Sequence, residues 1–229
     1  KRIFPRKYFS KSELILWGAS AAIVILFFGL FDRENYLTLF ASLIGVSSLI
    51  FNAKGNPFGQ ILMIVFSLIY GYISFHFSYY GEMITYIGMT LPMSVIALVS
   101  WLRHPYEKGK SEVAVNRLKH NEYIFIIFIS VAITIIFYYI LAYFNTTNIV
   151  FSTISVLTSF IAVYLTFRRS PYYAIGYAAN DIVLIIMWIM ACFQDISYIS
   201  VVACFTAFLA NDIYGFINWK KMQIRQQQI

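Results

Sequence analysis

The sequence predicts an all-α polytopic membrane protein of about eight transmembrane helices. Three observations lead there. Of 229 residues, 60% are hydrophobic and 12% charged, whereas a soluble domain carries roughly 25% charged residues. The apolar residues gather into stretches near the ~20 that a spanning helix needs. The basic residues fall almost wholly at one set of stretch ends.

The stretches run at about 13–30, 36–52, 58–78, 83–102, 122–143, 148–167, 172–192 and 197–219. The second is the weakest, short and rich in serine (Ser42, Ser47, Ser48). Lys1, Arg2, Arg6, Lys7 and Lys11 precede the first stretch, and Arg33 follows it. Lys54 lies between the second and third; Arg103, Lys108, Lys110, Arg117 and Lys119 lie between the fourth and fifth. Arg168 and Arg169 follow the sixth, and Lys220, Lys221 and Arg225 follow the eighth. With eight crossings and both termini cytoplasmic, every one except Arg33 is inside, as the positive-inside rule requires. A seven-helix count breaks the pattern. Position 1 is Lys, so a native start is expected to precede it. The basic, unevenly apolar first dozen residues do not resemble a cleaved signal peptide.

The chain repeats itself. Asn56-Pro57 opens the third stretch and Ser170-Pro171 the seventh, 114 residues later; each is a cap followed by proline in the first helical turn. Ser100-Trp101-Leu102-Arg103 closes the fourth and Asn218-Trp219-Lys220-Lys221 the eighth, with the tryptophans 118 residues apart. Interfacial tryptophans beside cytoplasmic bases are common, but matched spacing at both ends favours duplication. Four crossings is an even number, so the repeats are parallel, with a site expected between them near the midplane. The chain then reads as a single transmembrane domain over residues 1–229. It holds an additional helix at about 13–30, repeat 1 at about 36–102, a linker helix at about 122–143 and repeat 2 at about 148–219.

Several chemistries are absent from the sequence. The net charge of +7 is spread over short loops, which topology explains better than nucleic acid does. Cys192 and Cys204 lack ligand spacing, and His76, His104 and His120 are dispersed, so no metal site is expected. No Walker loop, H-E-x-x-H or G-x-S-x-G motif occurs. Nothing calls for a cofactor or for enzyme chemistry. The polar, basic loop 103–121 reads as a solvated connector.

Among the charged side chains, only Asp181 and Asp212 fall inside the apolar stretches, where a carboxylate is costly and marks function by default. Tyr173, Tyr177 and Asp181 recur at four-residue spacing on one helical face, and Trp188 extends it. Asn180 precedes the first acid, and Asn211 precedes Asp212. At 1.5 Å per residue the acids lie about 13 and about 10 Å from the inner helix ends of a ~30 Å core, deep enough to face one cavity. Gln60 and Tyr70 on the third helix could complete the site. Asn180 and Asn211 have an interhelical alternative, and Tyr173 could be a belt residue. Glu82 and Asp195 read as helix-end caps. Aromatic faces and carboxylates without a buried base suit a flat cation or a neutral polyol and repel phosphate.

The blocks Gly55-Asn56-Pro57-Phe58-Gly59-Gln60, Tyr80-Gly81-Glu82-Met83-Ile84-Thr85-Tyr86, Tyr177-Ala178-Ala179-Asn180-Asp181 and Asn211 to Trp219 resemble the PnuC family of bacterial nicotinamide riboside transporters. The resemblance spans nearly the whole chain. It implies a SWEET-like core of two three-helix bundles joined by a linker helix, the first helix being an addition. It also implies facilitated uptake of nicotinamide riboside, a vitamin B3 precursor of NAD, across the bacterial inner membrane. Cytosolic phosphorylation would trap the vitamin. The implied partners are the small-molecule substrate, membrane lipid and further copies of the chain in a homo-oligomer, a trimer being one form open to it. Many members carry tryptophans where this chain has Tyr173 and Tyr177, which leaves open the ring that stacks on the pyridinium. No Pro-Gln dipeptide occurs, which weighs against the PQ-loop branch. Transport of another flat vitamin such as thiamine, or an ion channel, remains the alternative.

Overall fold

The structure, a computed structural model, describes residues 8–76, 80–146 and 148–228. Lys1, Arg2, Arg6 and Lys7, used above in the charge argument, lie outside the described residues. Eight crossings form among them. These are α1 (Lys11–Phe31), α2 (Tyr36–Ala53), α3 (Phe58–His76), a broken fourth helix, α6 (His120–Tyr143), α7 (Ile149–Phe167), α8 (Tyr173–Cys192) and α9 (Ile199–Gln226). A 3₁₀ turn, Ile196–Tyr198, leads into α9. No strand forms among the described residues.

The fourth crossing departs from the continuous helix the hydropathy predicts. It consists of α4 (Tyr80–Thr85), a π turn (Tyr86–Thr90) and α5 (Leu91–Arg103). Pro92 stands in the first turn of α5; without an N–H it cannot bond the carbonyl one turn back, and the ladder widens ahead of it. The widened turn swings Tyr86 inward. The expected caps also form: Asn56 Oδ1 accepts from Phe58 N at 2.9 Å, and Ser170 Oγ from Tyr172 N at 3.4 Å.

Helices pack in chain order within two groups. α2 lies on α3 and α3 on α4–α5; α7 lies on α8 and α8 on α9. Two seams join the groups, α2 against α9 and α5 against α7, while α6 packs on α7 and α1 on both α9 and α2. Outward faces such as Ile127, Phe128 and Tyr139 of α6 remain apolar and exposed, as lipid requires. In lipid there is little hydrophobic drive between helices, so close approach of small residues matters more. At Gly176 of α8, an added Cβ would lie 2.9 Å from the Ala162 Cα of α7.

Two readings of the basic end need correction. Trp101 and Trp219 are not belt residues: they are 1% and 0% exposed, with ring centroids 5.4 Å apart. The loop 103–121 is exposed over most of its length, as a solvated connector would be, but residues 112–116 do more than connect. Gly55 and Arg169 adopt left-handed φ of 62° and 55° in the turns that follow α2 and α7. Their carbonyls accept from Val113 N at 2.9 Å and Asn116 N at 3.0 Å, so the loop straps both turns. Val113 is 0% exposed beneath them. A third feature escaped the sequence: Glu13, in the first turn of α1, is 3% exposed.

Gly176→Ala should destabilise the protein by about 1–3 kcal/mol, because the backbone of α7 must move. Gly18→Ala meets open space and should leave the melting temperature in detergent unchanged. Thermal unfolding of the two purified variants checks the contrast.

Candidate substrate cavity

Between the two helix groups lies a cavity of about 110 Å³, lined from α3, α4, the π turn, α7, α8 and α9. Helix α8 supplies Tyr177, Asn180, Asp181 and Trp188, and α9 supplies Asp212. From α3 come Met63, Phe66 and Tyr70; the broken fourth crossing adds Glu82, Thr85, Tyr86 and Thr90. Serines 152, 155 and 159 of α7 complete the polar wall. Among the described residues, no Lys, Arg or His lines the cavity.

Asp181 and Asp212 are 3% and 4% exposed, and their carboxyl groups face each other within hydrogen-bonding reach. Oδ2 of Asp181 is buried with no partner among the described residues. A polar atom so placed is costly unless something else occupies the cavity. Asn180 is oriented from α7: its Oδ1 accepts from Ser155 Oγ at 2.8 Å and Thr158 Oγ1 at 3.0 Å. That leaves the amide NH2 free to donate. Tyr70 packs between Phe66 and Tyr86, with centroid separations of 4.9 and 5.0 Å. Trp188 lies 5.2 Å from the Tyr198 ring. The cavity thus offers acceptors, one oriented donor and aromatic walls.

Of the residues the sequence proposed, Asp181, Asn180, Tyr177, Trp188, Asp212 and Tyr70 meet at this cavity. Three do not line it. Tyr173, 1% exposed, packs edge-on against Trp219 at 5.0 Å, one turn below the cavity floor. Asn211 turns to the first helix, its Nδ2 donating to Ser20 Oγ and Ala207 O, both at 2.8 Å. Gln60 is spent on α2, its Nε2 donating to Asn52 Oδ1 at 2.9 Å. Four-residue spacing places residues on one stripe, but a stripe of 16 residues from Tyr173 to Trp188 outruns a small cavity.

Glu82, read above as a helix-end cap, lines the cavity, as do Phe66, Tyr86 and Ser155, which the sequence reading did not propose. Among the described residues no hydrogen bond or ion pair ties Glu82 as a cap; Asp195, in contrast, does cap, accepting from Ser197 N at 2.9 Å. The backbone and side chain of Ser197 hold the Asp195 carboxyl below its ordinary range. Two further cavities, of about 280 and 200 Å³, lie toward the end opposite the basic loops, and both share Glu82 and Trp188 with the central one. Asp32 and Asp195 line the second of them. The route from that end is acidic and aromatic. At the basic end, Tyr173, Trp101 and Trp219 close the floor. The one available signal for Glu82 was its place in the Tyr80–Tyr86 block.

A helical bundle with a closed floor, a mid-depth cavity whose largely apolar wall carries buried acids, and an approach from one end defines a membrane transporter. A profile of the family described as nicotinamide mononucleotide transporter matches residues 35–221. The chain belongs to that family. Its sequence is 23% identical over 214 residues to the nicotinamide riboside transporter PnuC of Neisseria mucosa, covering 91% of this chain and 79% of that protein. A crystal structure described as the vitamin B3 transporter PnuC superposes with a TM-score of 0.81 at 21% identity, covering 95% of this chain and 94% of that one. The eight-helix fold predicted from sequence is therefore shared with a solved structure.

A cysteine at Trp188 should react with a water-soluble maleimide at least about tenfold faster than one at Tyr173, since only the former borders the open cavities. Labelling rates in detergent, on a background with Cys192 and Cys204 replaced by Ala, test this placement.

Proposed function

We propose that the protein takes up nicotinamide riboside across the bacterial inner membrane by alternating access, without an enzymatic step of its own. The observation that carries this reading is the unpartnered carboxylate oxygen of Asp181 in a cavity walled by Tyr70, Tyr86, Tyr177 and Trp188 and free of basic side chains. A planar pyridinium matches the aromatic faces and the negative charge. Ribose hydroxyls and the carboxamide match the acceptors on Asp181 and Asp212 and the donor on Asn180. The name of the Neisseria relative points to the same ligand.

The family description names the mononucleotide instead. The cavity argues against the phosphate, because a buried dianion needs a buried cation and none lines the wall. Charge placement supports cytoplasmic termini, so the basic end faces the cytosol and the acidic approach faces outward. Two parallel three-helix units, residues 36–102 and 148–219, would then move against each other, with α6 as linker. Phosphorylation of the delivered nucleoside in the cytosol would prevent its return. Thiamine is also a flat cation and is the natural competitor in the assay.

Calorimetry on the purified protein should show binding of nicotinamide riboside and none of its 5′-monophosphate at comparable concentration. Similar affinity for the two would mean that the site has been misplaced. A hydrogen bond to a charged group is worth about 1.5–3 kcal/mol, so Asp181→Asn should weaken binding about tenfold to a hundredfold. The near-isosteric amide keeps the fold. Asp212→Asn should weaken binding as well, whereas Tyr173→Phe should bind normally. Wild-type affinity in folded Asp181→Asn protein would rule this assignment out.

A further inference from the structure

The floor of the cavity is fastened twice by the same pattern of bonds. Ser100 Oγ donates to Phe167 O at 3.0 Å and Trp101 Nε1 to Thr166 O at 2.8 Å, joining α5 to α7. Asn218 Nδ2 donates to Ala53 O at 2.7 Å and Trp219 Nε1 to Asn52 O at 2.8 Å, joining α9 to α2. Each seam links a helix of the first group to a helix of the second. A helix end exposes carbonyls that lack a partner within the helix; here Asn218 and Ser100 of the other group satisfy those of Ala53 and Phe167, and the neighbouring tryptophans add a second donor to Asn52 O and Thr166 O. Ligand can leave at the basic end only if a seam parts.

The two seams are not held equally. Beside the α2–α9 seam, the buried Glu13 of α1 accepts from Lys54 Nζ at 2.9 and 3.0 Å and from Tyr214 Oη at 2.9 Å. Lys54 directly follows α2, and Tyr214 lies on α9, so one carboxylate ties both sides of that seam. Its geometry is itself set by the capping box with Ser10, and Asn211 adds a bond from α9 to Ser20 of α1. Beside the α5–α7 seam the corresponding acid, Glu122 of α6, pairs with Arg168 just past α7. Among the described residues, no side chain of a third helix bridges α5 and α7. Breaking one partner from a buried charge is strongly unfavourable, whereas the second seam opens without stranding a charge.

We propose that Glu13 is a positioning residue for the transport step: it makes α1 a staple across the α2–α9 seam, so that opening toward the basic end occurs at the α5–α7 seam. This gives the additional first helix a task. It rests on the reading of the protein as an alternating-access transporter, and its test is chosen to separate the two.

With Cys192 and Cys204 replaced by Ala, the pair Ala53→Cys and Gly215→Cys brings the two Cβ positions 3.7 Å apart, within disulfide range. In proteoliposomes the oxidised pair should retain uptake of labelled nicotinamide riboside within about twofold of the reduced pair. In ligand-free protein, Ser100→Cys should react with maleimide at least about tenfold faster than Ala53→Cys. Glu13→Gln should raise the Ala53→Cys rate about tenfold while leaving the Ser100→Cys rate and the ligand affinity unchanged. Tyr214→Phe, which removes one arm of the staple, should act in the same direction. Loss of uptake on oxidation with recovery on reduction would overturn the proposal. Equal labelling of the two seams in the parent chain would do the same, as would a variant that loosens both alike. Unequal labelling in a chain that transports no nicotinamide riboside would uphold the seam assignment and remove the substrate.

Discussion

Inside hydrocarbon an unpaired polar group costs several kcal/mol, and this one constraint orders the rest of the structure. The buried hydroxyls and amides of the bundle largely settle it locally. Ser42, Ser67 and Thr166 bond carbonyls four residues back on their own helices. Gln60 and Asn52 pair across α2 and α3, and Asn211 pairs with Ser20 across α9 and α1. Asn211 Oδ1, Ser130 Oγ and Thr146 Oγ1 are also left without a partner, but among the described residues Asp181 Oδ2 is the buried carboxylate oxygen so placed, and the acid Glu82 likewise has no hydrogen bond or ion pair. Neither acid has a structural task, and both border the cavity.

The same constraint shapes the helix ends. In the turns that leave α2 and α7 the carbonyls at 52 and 166 accept backbone bonds only from the turn itself, at Gly55 N and Arg169 N, while no backbone donor among the described residues reaches those at 53 and 167; indole and side-chain donors from α9 and α5 reach across to all four. Two carbonyls of the turns then hold the strap of residues 104–119. The basic end is thereby closed by protein–protein bonds, while the opposite end keeps open space around Glu82 and Trp188. A transporter needs this kind of difference between its ends, since a seam made of a few hydrogen bonds can be remade in either state, whereas a packed hydrophobic core cannot.

Charge selection follows from what the cavity omits. Three carboxylates line it and no base does, so a cation gains from the cavity and a phosphate loses. The family description and the name of the Neisseria relative differ by one phosphoryl group, and in the reading proposed above the lining is what excludes the phosphate. Asn180 contributes in a different way. Its carbonyl accepts from two hydroxyls of α7, so the adjoining helix of its own group fixes which face of the amide a ligand meets.

The sequence by itself determined the class, the eight crossings and the depth of the two acids, because each depends only on length and hydropathy along the chain. It also marked the paired Asn-Pro and Ser-Pro turns and the paired Trp-base helix ends. What it could not decide was which of several polar residues on a stripe reach the same point in space. Tyr173, Asn211 and Gln60 share helices with cavity-lining residues, yet each is taken up by a residue of a neighbouring helix. Glu82 seemed a cap because it sits near a helix end, but the π turn ahead of Pro92 and the packing of α4 bring it to the junction of three cavities. The difference between the two seams was equally hidden, since Glu13, Lys54 and Tyr214 lie up to 201 positions apart. Their meeting depends on how α1 lies across α2 and α9, and only tertiary packing sets that.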